Sequence, residues 1–385
     1  MTRLASLDTT YVPMNKLGWQ QDMGATGYTE GIGLLPHWDA LYATTGDTRA
    51  LASSTAHSSA LGSYTIFFRN LATKGIQKFS DFPSAYSNTE SLQLGGAPYR
   101  WEVAHHPHAG YLAWLATAER FHLETMEANA FAAWFTDSGG GQSGVNKLYV
   151  SQTRAKAWRY RTIASLAAVA PDNEPYKADA RASVLANLKS WKASWADTAS
   201  PATGLGATYS DLEPSVVGKQ ISLFEHFFIA ASVGWSWDQE LQLSATDKPT
   251  LSAVRDYFYR IPVGVTGRGQ GSGEYCYQRG PGPYRTNVGP DGGYYASWGL
   301  VYTATYSDTI ACADGSPIKE SYADDPSTYA FPQGNWGHLM TALSFAVDHG
   351  YAGAAESYAR VTGASNWSSN ATKFNDWPQY GVIKR

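Results

Sequence analysis

Charged residues are scarce in this chain of 385 residues. Asp, Glu, Lys and Arg together make up 16% of the sequence, whereas about a quarter is usual for a globular protein. The formal net charge is −4, and proteins that bind nucleic acid normally present a positive surface to the phosphate backbone. We therefore expect no nucleic-acid partner.

Long apolar runs are also missing. No stretch approaches the roughly 18 uninterrupted apolar residues of a membrane-spanning helix, so we expect no membrane span. The N-terminal sequence MTRLASLDTT lacks the apolar core of a signal peptide. We expect an extracellular or periplasmic protein, or a part of a phage particle. Either a signal peptide has been lost from this chain, or the domain is exported as part of something larger.

Cysteine is nearly absent, with only Cys276 and Cys312 in the chain. One disulfide that pins an irregular loop and two free thiols are equally compatible with this count. The cysteines alone therefore do not define the redox compartment.

Aromatic residues are abundant by contrast. Phe, Trp and Tyr make up 14% of the chain, with 14 Trp and 25 Tyr. This composition is typical of extracellular carbohydrate-active proteins, in which flat rings stack on sugar faces. The alternative for any single ring is a place in the hydrophobic core, which large apolar rings often dominate.

Apolar residues recur with a helical period in paired segments, each pair joined by a short polar break. The segments are 33–44 with 48–61, 107–118 with 120–136, 151–169 with 175–195, 222–241 with 248–260, and 335–348 with 351–362. Asp47, Asp172 and Asp247 precede the second helix of their pairs, where Asp is a favoured N-cap or turn residue. Each pair is therefore predicted to form a helical hairpin.

The first helix of most pairs is apolar nearly all round, as in HFFIAASVGWSW, while the second is more amphipathic. A helix that is apolar on all sides is buried on all sides. We therefore predict a mainly α fold, an α/α toroid of five or six hairpins in a ring, as one domain over 1–385. A sixth inner helix is expected at Tyr295–Thr305. The segments at about 62–100 and 262–332 are expected to be loops with a minor β component.

Polar and aromatic side chains gather at the start of the first helix of each pair. They are Trp19, Gln20, Asp22, Tyr28 and Glu30; Arg100, Trp101, Glu102, His105, His106 and His108; Gln152, Arg154, Trp158 and Arg161; Lys219, Gln220, Glu225 and His226; and Asn335, Trp336 and His338. In a ring of parallel inner helices these N-terminal ends share one mouth, so the five clusters are expected to meet in one cleft. Each cluster also has a structural interpretation, since acids in a first turn complement the helix dipole and arginines can tie helix ends together.

The run His105-His106-Pro107-His108 is the most suggestive of these clusters. Imidazole is a common metal ligand, but adjacent His side chains diverge and no partner pair lies at a usual spacing, so we expect neither metal nor cofactor. Pro107 fits the first turn of a helix, with His105 and His106 just outside it. A histidine placed there can act as a general acid or base.

Helix pairs, a polar inner mouth and abundant Trp and Tyr resemble the α/α-toroid carbohydrate-active enzymes, which include six-hairpin glycosidases and toroid polysaccharide lyases. The phrases MGATGYTEGIGLLPHW, AHHPHAGYLAWL, HLETMEANAFAAW and QTRAKAWRYRTIASLAAVAPD, within residues 18–175, also resemble an uncharacterised group of bacterial proteins. The resemblance implies a fold and a polysaccharide or oligosaccharide substrate, and it implies no particular reaction, because one fold hosts many chemistries.

Three functions follow as alternatives. In a polysaccharide lyase, Arg100 or Arg154 pairs the uronate carboxylate, His105 or His106 is the base, and a tyrosine is the acid. The candidate acids are Tyr28, Tyr64 and Tyr302. In a glycoside hydrolase two carboxylates flank the bond. The candidates for that pair are Asp22, Glu30, Glu102 and Glu225.

A non-catalytic glycan-binding or receptor-recognition module is the third alternative. The lyase is slightly favoured by the number of His, Arg and Tyr residues. In all three cases the predicted substrate-binding residues share a polar or aromatic character suited to sugars. They are Trp19, Tyr28, Tyr64, Arg100, Trp101, Glu102, Gln152, Trp158, His226, Tyr302, Asn335, Trp336 and His338.

Overall fold

A computed structural model of the whole chain gives the fold. It describes residues 2–19, 31–83, 85, 99, 108–135, 148, 152–208, 219–239, 241–269, 273–290, 293–306, 310–319 and 335–381. Every structural statement below concerns these residues.

The described residues are mainly helical, as the sequence predicts. They contain 14 α-helices and one antiparallel sheet of two strands. The helices are α1 (Thr2–Ala5), α2 (His37–Thr45), α3 (Thr48–Ala60), α4 (Tyr111–Thr117), α5 (Arg120–Phe135), α6 (Thr153–Val169), α7 (Pro175–Trp191), α8 (Pro201–Leu205), α9 (Leu223–Asp238), α10 (Lys248–Gly264), α11 (Trp298–Thr305), α12 (Asn335–Asp348), α13 (Ala354–Thr362) and α14 (Trp367–Ala371). The strands are β1 (Lys219–Ile221) and β2 (Thr286–Gly289), and Gln220 lies opposite Asn287.

The predicted break of the first helix pair is confirmed in detail. Gly46 ends α2 in the left-handed conformation, with φ 66°, which glycine adopts without strain. Asp47 then begins α3, because its carboxylate accepts a hydrogen bond from the Arg49 N–H. A similar break separates α4 from α5 at Ala118, which is also left-handed.

The chain divides into two compact units. Unit 1 comprises residues 1–190 and 235–248, and unit 2 comprises residues 191–234 and 249–385. Each is described by itself below.

Helices α5 and α6 form the centre of unit 1. Fifteen of the 17 residues of α6 are buried, as predicted for the first helix of a pair, although four of these buried residues are Arg or Lys. Arg159 on α6 donates hydrogen bonds to the backbone carbonyls of Ala133 and Trp134 at the end of α5. A cation at a helix C-terminus satisfies carbonyls that have no partner within the helix. The two helices are thereby joined by hydrogen bonds as well as by apolar packing.

Helices α9, α10 and α12 pack closely in unit 2 at Gly234. A Cβ at this position would lie 2.6 Å from the Tyr259 hydroxyl and 2.9 Å from Phe345 Cβ. The absence of a side chain on α9 therefore allows α10 and α12 to approach. A disulfide joins Cys276 to Cys312, which settles the question that the cysteine count left open. Such a bond persists in oxidising compartments.

Some expectations about the hairpins are wrong. In the second pair the first helix, α4, buries only Ala113, whereas 12 residues of the second helix, α5, are buried. Helix α4 is short and ends at Thr117. Its apolar residues do not form a buried stripe, and Leu115 is 52% exposed. Helix α4 also begins at Tyr111 rather than near Pro107, because Gly110 is left-handed with φ 83°.

The predicted sixth inner helix corresponds to α11, which begins at Trp298 rather than Tyr295. Within the part of 62–100 that the structure describes, β structure is limited to isolated bridges of Tyr64 with Tyr99 and of Arg69 with Ile76. Strand β2 is the short strand expected in 262–332. None of the described helices is both long enough and apolar enough to cross a membrane.

Candidate active site

Four ionisable side chains from three helical segments meet in the interior of unit 1. Asp39 lies in the first turn of α2, His108 and Tyr111 lie at the start of α4, and Arg161 lies in the middle of α6. We call Asp39, His108, Tyr111 and Arg161 the buried polar cluster. Three of its members, all except Tyr111, are at most 2% exposed.

His108 is fixed by its neighbours on two sides. Its Nδ1 lies 3.0 Å from the Leu34 carbonyl oxygen, and its ring stacks on the Tyr111 ring with 4.5 Å between the centroids. Because a carbonyl oxygen can only accept, Nδ1 carries the proton and Nε2 carries the lone pair. Nε2 is buried and has no hydrogen-bond partner. Burial and the nearby Arg161 charge hold the pKa of His108 well below its ordinary value, so the imidazole is neutral at neutral pH.

Arg161 places a guanidinium beside this imidazole. It donates to the Gly33 carbonyl oxygen and, at 3.3 Å, to the Thr162 hydroxyl. The guanidinium lies over the Trp158 ring, 4.7 Å from its centroid, a favourable cation–π arrangement. Its Nε is buried without a hydrogen-bond partner. Burial lowers the pKa of Arg161 to about 9, which leaves the group charged at neutral pH.

Asp39 supplies a carboxyl group that can carry a proton near neutral pH. Burial raises the pKa of Asp39 to about 7, against a hydrogen bond with Ser54 that lowers it. Its Oδ1 is buried with no hydrogen-bond partner. Such an upward shift is usual for a carboxyl group held in a poorly solvated site, and it is common in acid–base catalysts.

Tyr111 lies at the half-exposed edge of the buried polar cluster. Burial raises the pKa of Tyr111. A hydrogen bond with Gln239 lowers this pKa, and the charge of Asp39 raises it further. The Trp235 ring meets the Tyr111 ring edge to face, with 6.0 Å between centroids. Ser165 positions this edge, since its hydroxyl accepts from Trp235 Nε1 at 3.3 Å and from Gln239 Nε2 at 3.1 Å.

The buried polar cluster thus combines three chemical capabilities. A neutral imidazole with a free lone pair can accept a proton. A guanidinium with an unused N–H can bind an anionic oxygen. A protonated phenol beside a titratable carboxyl group can donate a proton. These are the groups that a proton-transfer reaction beside a carboxylate requires.

A second set of ionisable side chains lies elsewhere in unit 1, around Arg120. This guanidinium contacts Glu124 at 3.9 Å, Glu127 at 3.3 Å and also Glu174. Glu127 is 2% exposed. Burial and the neighbouring charge of Glu174 raise the pKa of Glu127 to about 8, and Arg120 lowers it. One carboxyl group of the set therefore holds its proton more tightly than an ordinary glutamic acid.

The predicted site residues in unit 1 are mostly buried side chains. Trp19 is 2% exposed, and its indole N–H donates to the His57 carbonyl oxygen at 2.8 Å. Tyr64 is 3% exposed, next to Tyr99, and burial raises its pKa. The Trp158 ring lies against the Arg161 guanidinium. Two further predicted residues lie at the start of α6, where Gln152 is half-buried and Arg154 is buried.

Arg154 and Arg161 are seven residues apart on α6, which corresponds to about 10 Å along a helix axis. Only Arg161 belongs to the buried polar cluster. Helices α2 and α4 contribute to this cluster from their starts, whereas α6 contributes from its middle. The cleft shared by all five first helices stays a prediction.

The remaining described candidates lie in unit 2. Glu225 is buried in the first turn of α9. Beside it His226 places Nδ1 3.0 Å from the Ser222 carbonyl oxygen and accepts from the Thr208 amide at 3.4 Å. Both ring nitrogens are thus used within the protein, which matches the interpretation of a satisfied core histidine.

The aromatic candidates of unit 2 are packed in its interior. The ring centroids of Tyr302 and Tyr275 are 5.1 Å apart. Trp336 donates its indole N–H to the Lys319 carbonyl oxygen at 2.7 Å. His338 lies edge-on to Phe228, and burial lowers its pKa to about 3. Asn335 is the first residue of α12 and is half-buried.

Ten of the predicted residues lie outside the described residues, and their roles stay predictions. They are Gln20, Asp22, Tyr28, Glu30, Arg100, Trp101, Glu102, His105, His106 and Pro107. His108 follows the last three of these directly in the chain.

No group of three or more His, Cys, Asp or Glu side chains suited to a metal ion occurs among the described residues. Comparison of the chain with models of known protein families, with curated protein sequences and with solved structures finds no match.

Proposed function

We propose that this protein is a carbohydrate-active enzyme, and that it cleaves an acidic polysaccharide by β-elimination. The observation that supports the proposal is the buried polar cluster of unit 1, in which a histidine with a free lone pair, an arginine and a tyrosine lie together. Elimination beside a uronate carboxylate needs a base, a group that neutralises the carboxylate, and an acid for the leaving oxygen.

The proposed roles are supported by the contacts of each group. Arg161 binds the uronate carboxylate, which makes the neighbouring C5 proton more acidic. His108 Nε2 takes that proton. The electrons of the broken C5–H bond form the C4–C5 double bond, while the bond from C4 to the leaving oxygen breaks. Tyr111 donates its proton to the leaving oxygen, and Asp39 lies close enough to influence the protonation of this phenol. His105 or His106, Arg100 and Arg154 stay candidates for the same roles.

We propose that a sugar approaches this cluster at the half-exposed edge formed by Tyr111 and Trp235. Aromatic faces of this kind bind sugar rings by stacking, and each such contact contributes on the order of 1 kcal/mol. We also propose that the helical hairpins close into an α/α toroid, in line with the paired helices and the largely buried α6.

The experiment is an incubation with a panel of acidic and neutral polysaccharides. Two products are followed together: the ultraviolet absorbance of unsaturated uronate ends and the number of new reducing ends. Unsaturated ends support the lyase. Reducing ends alone contradict it and indicate hydrolysis, and binding without either product indicates a glycan-binding or receptor-recognition module.

Glycoside hydrolysis is the second candidate function, and the set around Arg120 favours it. Glycosidases use one protonated and one ionised carboxyl group on either side of the bond. Glu127 and Glu174 both contact Arg120, and the raised pKa of Glu127 suits the acid. Glu127→Gln removes the transferable proton while keeping the side-chain volume. Loss of reducing-end release in this variant, with His108→Asn active, would support hydrolysis.

A further inference from the structure

A separate cavity of about 350 Å³ lies in unit 2, between the turn that follows Cys312 and helix α13. Two arginines and two acids line it. They are Arg268, Asp314, Glu356 and Arg360. The size falls within the range of about 300–1,000 Å³ that is usual for small-molecule sites.

The two arginines converge on one carboxylate. Asp314 Oδ2 lies 3.5 Å from Arg268 Nε, and Asp314 Oδ1 lies 3.5 Å from Arg360 Nε. Both distances exceed the roughly 2.7–2.9 Å of a short charge-assisted hydrogen bond. The Asp314 side chain is 61% exposed, and it lies in a turn with the left-handed Gly315. Asp314 therefore occupies the anion position loosely and can leave it.

Arg360 is held in place independently of Asp314. Its side chain is 9% exposed, and one of its terminal N–H groups donates to the Thr266 carbonyl oxygen. Its Nε is buried and makes no hydrogen bond, and its contact with Asp314 is the loose ion pair at 3.5 Å. Arg268 lies two residues further along the chain from Thr266 and pairs with Cys276 in an isolated β-bridge. The disulfide thus anchors both the segment with Arg268 and the turn with Asp314.

We propose that this cavity is a binding site for the carboxylate of a small organic acid of the size of a hexuronate. In the unbound protein Asp314 stands in for that carboxylate. The ligand displaces Asp314 and binds between Arg268 and Arg360, whose N–H groups match two carboxylate oxygens. The proposal concerns unit 2 alone and does not depend on the reaction proposed for unit 1.

The test is isothermal titration of the protein with sodium glucuronate, with glucose and inorganic phosphate as comparison ligands. Asp314→Asn removes the internal competitor, so we expect this variant to bind glucuronate on the order of tenfold more tightly. Arg268→Gln removes one charged contact and should weaken binding by roughly tenfold. Asp256→Asn is the matched control, because Asp256 pairs with Arg255 at 2.7 Å in the same unit and is not one of the cavity's lining residues.

The outcomes are distinct. Tighter binding by Asp314→Asn, weaker binding by Arg268→Gln and an unchanged Asp256→Asn support the site. Unchanged or weaker binding by Asp314→Asn overturns it, as does the absence of glucuronate binding in both the wild type and this variant. Glucose binding as tight as glucuronate binding overturns the anion site, and phosphate binding that is equally tight overturns its assignment to a carboxylate.

Discussion

The ring of His108 stacks on the ring of Tyr111, three residues further along the chain, with 4.5 Å between the centroids and 25° between the planes. Gly110 makes this arrangement possible. It is left-handed with φ 83°, and a Cβ there would lie 2.8 Å from the His122 carbonyl oxygen. Only glycine fits such a turn without strain. The turn holds the free Nε2 of His108 in a fixed orientation.

His108→Asn tests the proposed base. An Asn side chain can still donate to the Leu34 carbonyl oxygen, but it has no basic nitrogen in place of Nε2. We expect the rate of formation of unsaturated ends to fall by roughly 10²–10⁴-fold, the usual share of general base catalysis. The measurement is turnover per folded molecule, with folding checked by circular dichroism.

His122→Asn is the control for that variant. His122 is also buried, and its Nδ1 contacts the Ser58 hydroxyl at 2.8 Å. Its replacement should lower the melting temperature and leave turnover unchanged. A His108→Asn variant that keeps wild-type turnover would instead direct attention to His105 and His106.

Arg161→Lys tests the proposed carboxylate clamp. A lysine keeps the positive charge but lacks the planar fork and stacks less well on Trp158. We expect kcat/KM on acidic saccharides to fall by at least about tenfold, since a charged hydrogen bond contributes roughly 1.5–3 kcal/mol. Arg49→Lys, at the exposed Asp47 pair, should have no effect on kcat/KM. Equal losses on acidic and neutral saccharides would contradict a role in binding the carboxylate.

Asp39→Asn tests the protonation of the buried acid. The pKa of Asp39, about 7 in the folded protein, lies above its ordinary value of 3.8. The folded state therefore binds this proton more tightly than the unfolded state, and the wild type loses stability as pH rises from about 4 through 7. Asn cannot ionise, so the variant escapes this loss.

The comparison is a pair of denaturant titrations at about pH 4 and about pH 8. Because one pKa unit corresponds to about 1.4 kcal/mol, the variant should be more stable than the wild type by at most about 4 kcal/mol at the higher pH. At the lower pH the difference should nearly vanish. A difference that is the same at both pH values would show that Asp39 does not titrate in this range.

Helix positions could be predicted from the sequence because local signals specify them. Gly46 and Asp47 end one helix and begin the next by backbone conformation and capping, and both roles depend on the residue itself. The early start predicted for α4 was wrong because the left-handed conformation of Gly110 depends on packing against α5. A proline signal at 107 carries no information about that packing.

The candidate site was less predictable than the helices. His108 and Arg161 stand out in the sequence as polar residues in aromatic surroundings. Asp39 does not, because an acid in the first turn of a helix is an ordinary complement to the helix dipole. Its raised pKa depends on burial by distant segments. Trp235 lies at the end of α9, whereas the polar and aromatic clusters that are visible in the sequence lie at the starts of helices.

Removal of the disulfide is the last test, and it concerns the stability of unit 2. Cys276 and Cys312 are 36 residues apart in the chain. Closing a loop of this length lowers the entropy of the unfolded chain, which stabilises the folded state by about 4 kcal/mol in the chain-entropy description. We expect Cys276→Ser/Cys312→Ser to lower the free energy of unfolding by an amount of this order, measured by denaturant titration.

Adding a reducing agent should destabilise the wild type and leave the double variant unchanged. A wild type with the same midpoint of unfolding in oxidising and reducing buffer would show that the bond contributes little. The variant should also bind glucuronate more weakly in unit 2, because Arg268 and Asp314 lie on the two segments that the disulfide joins.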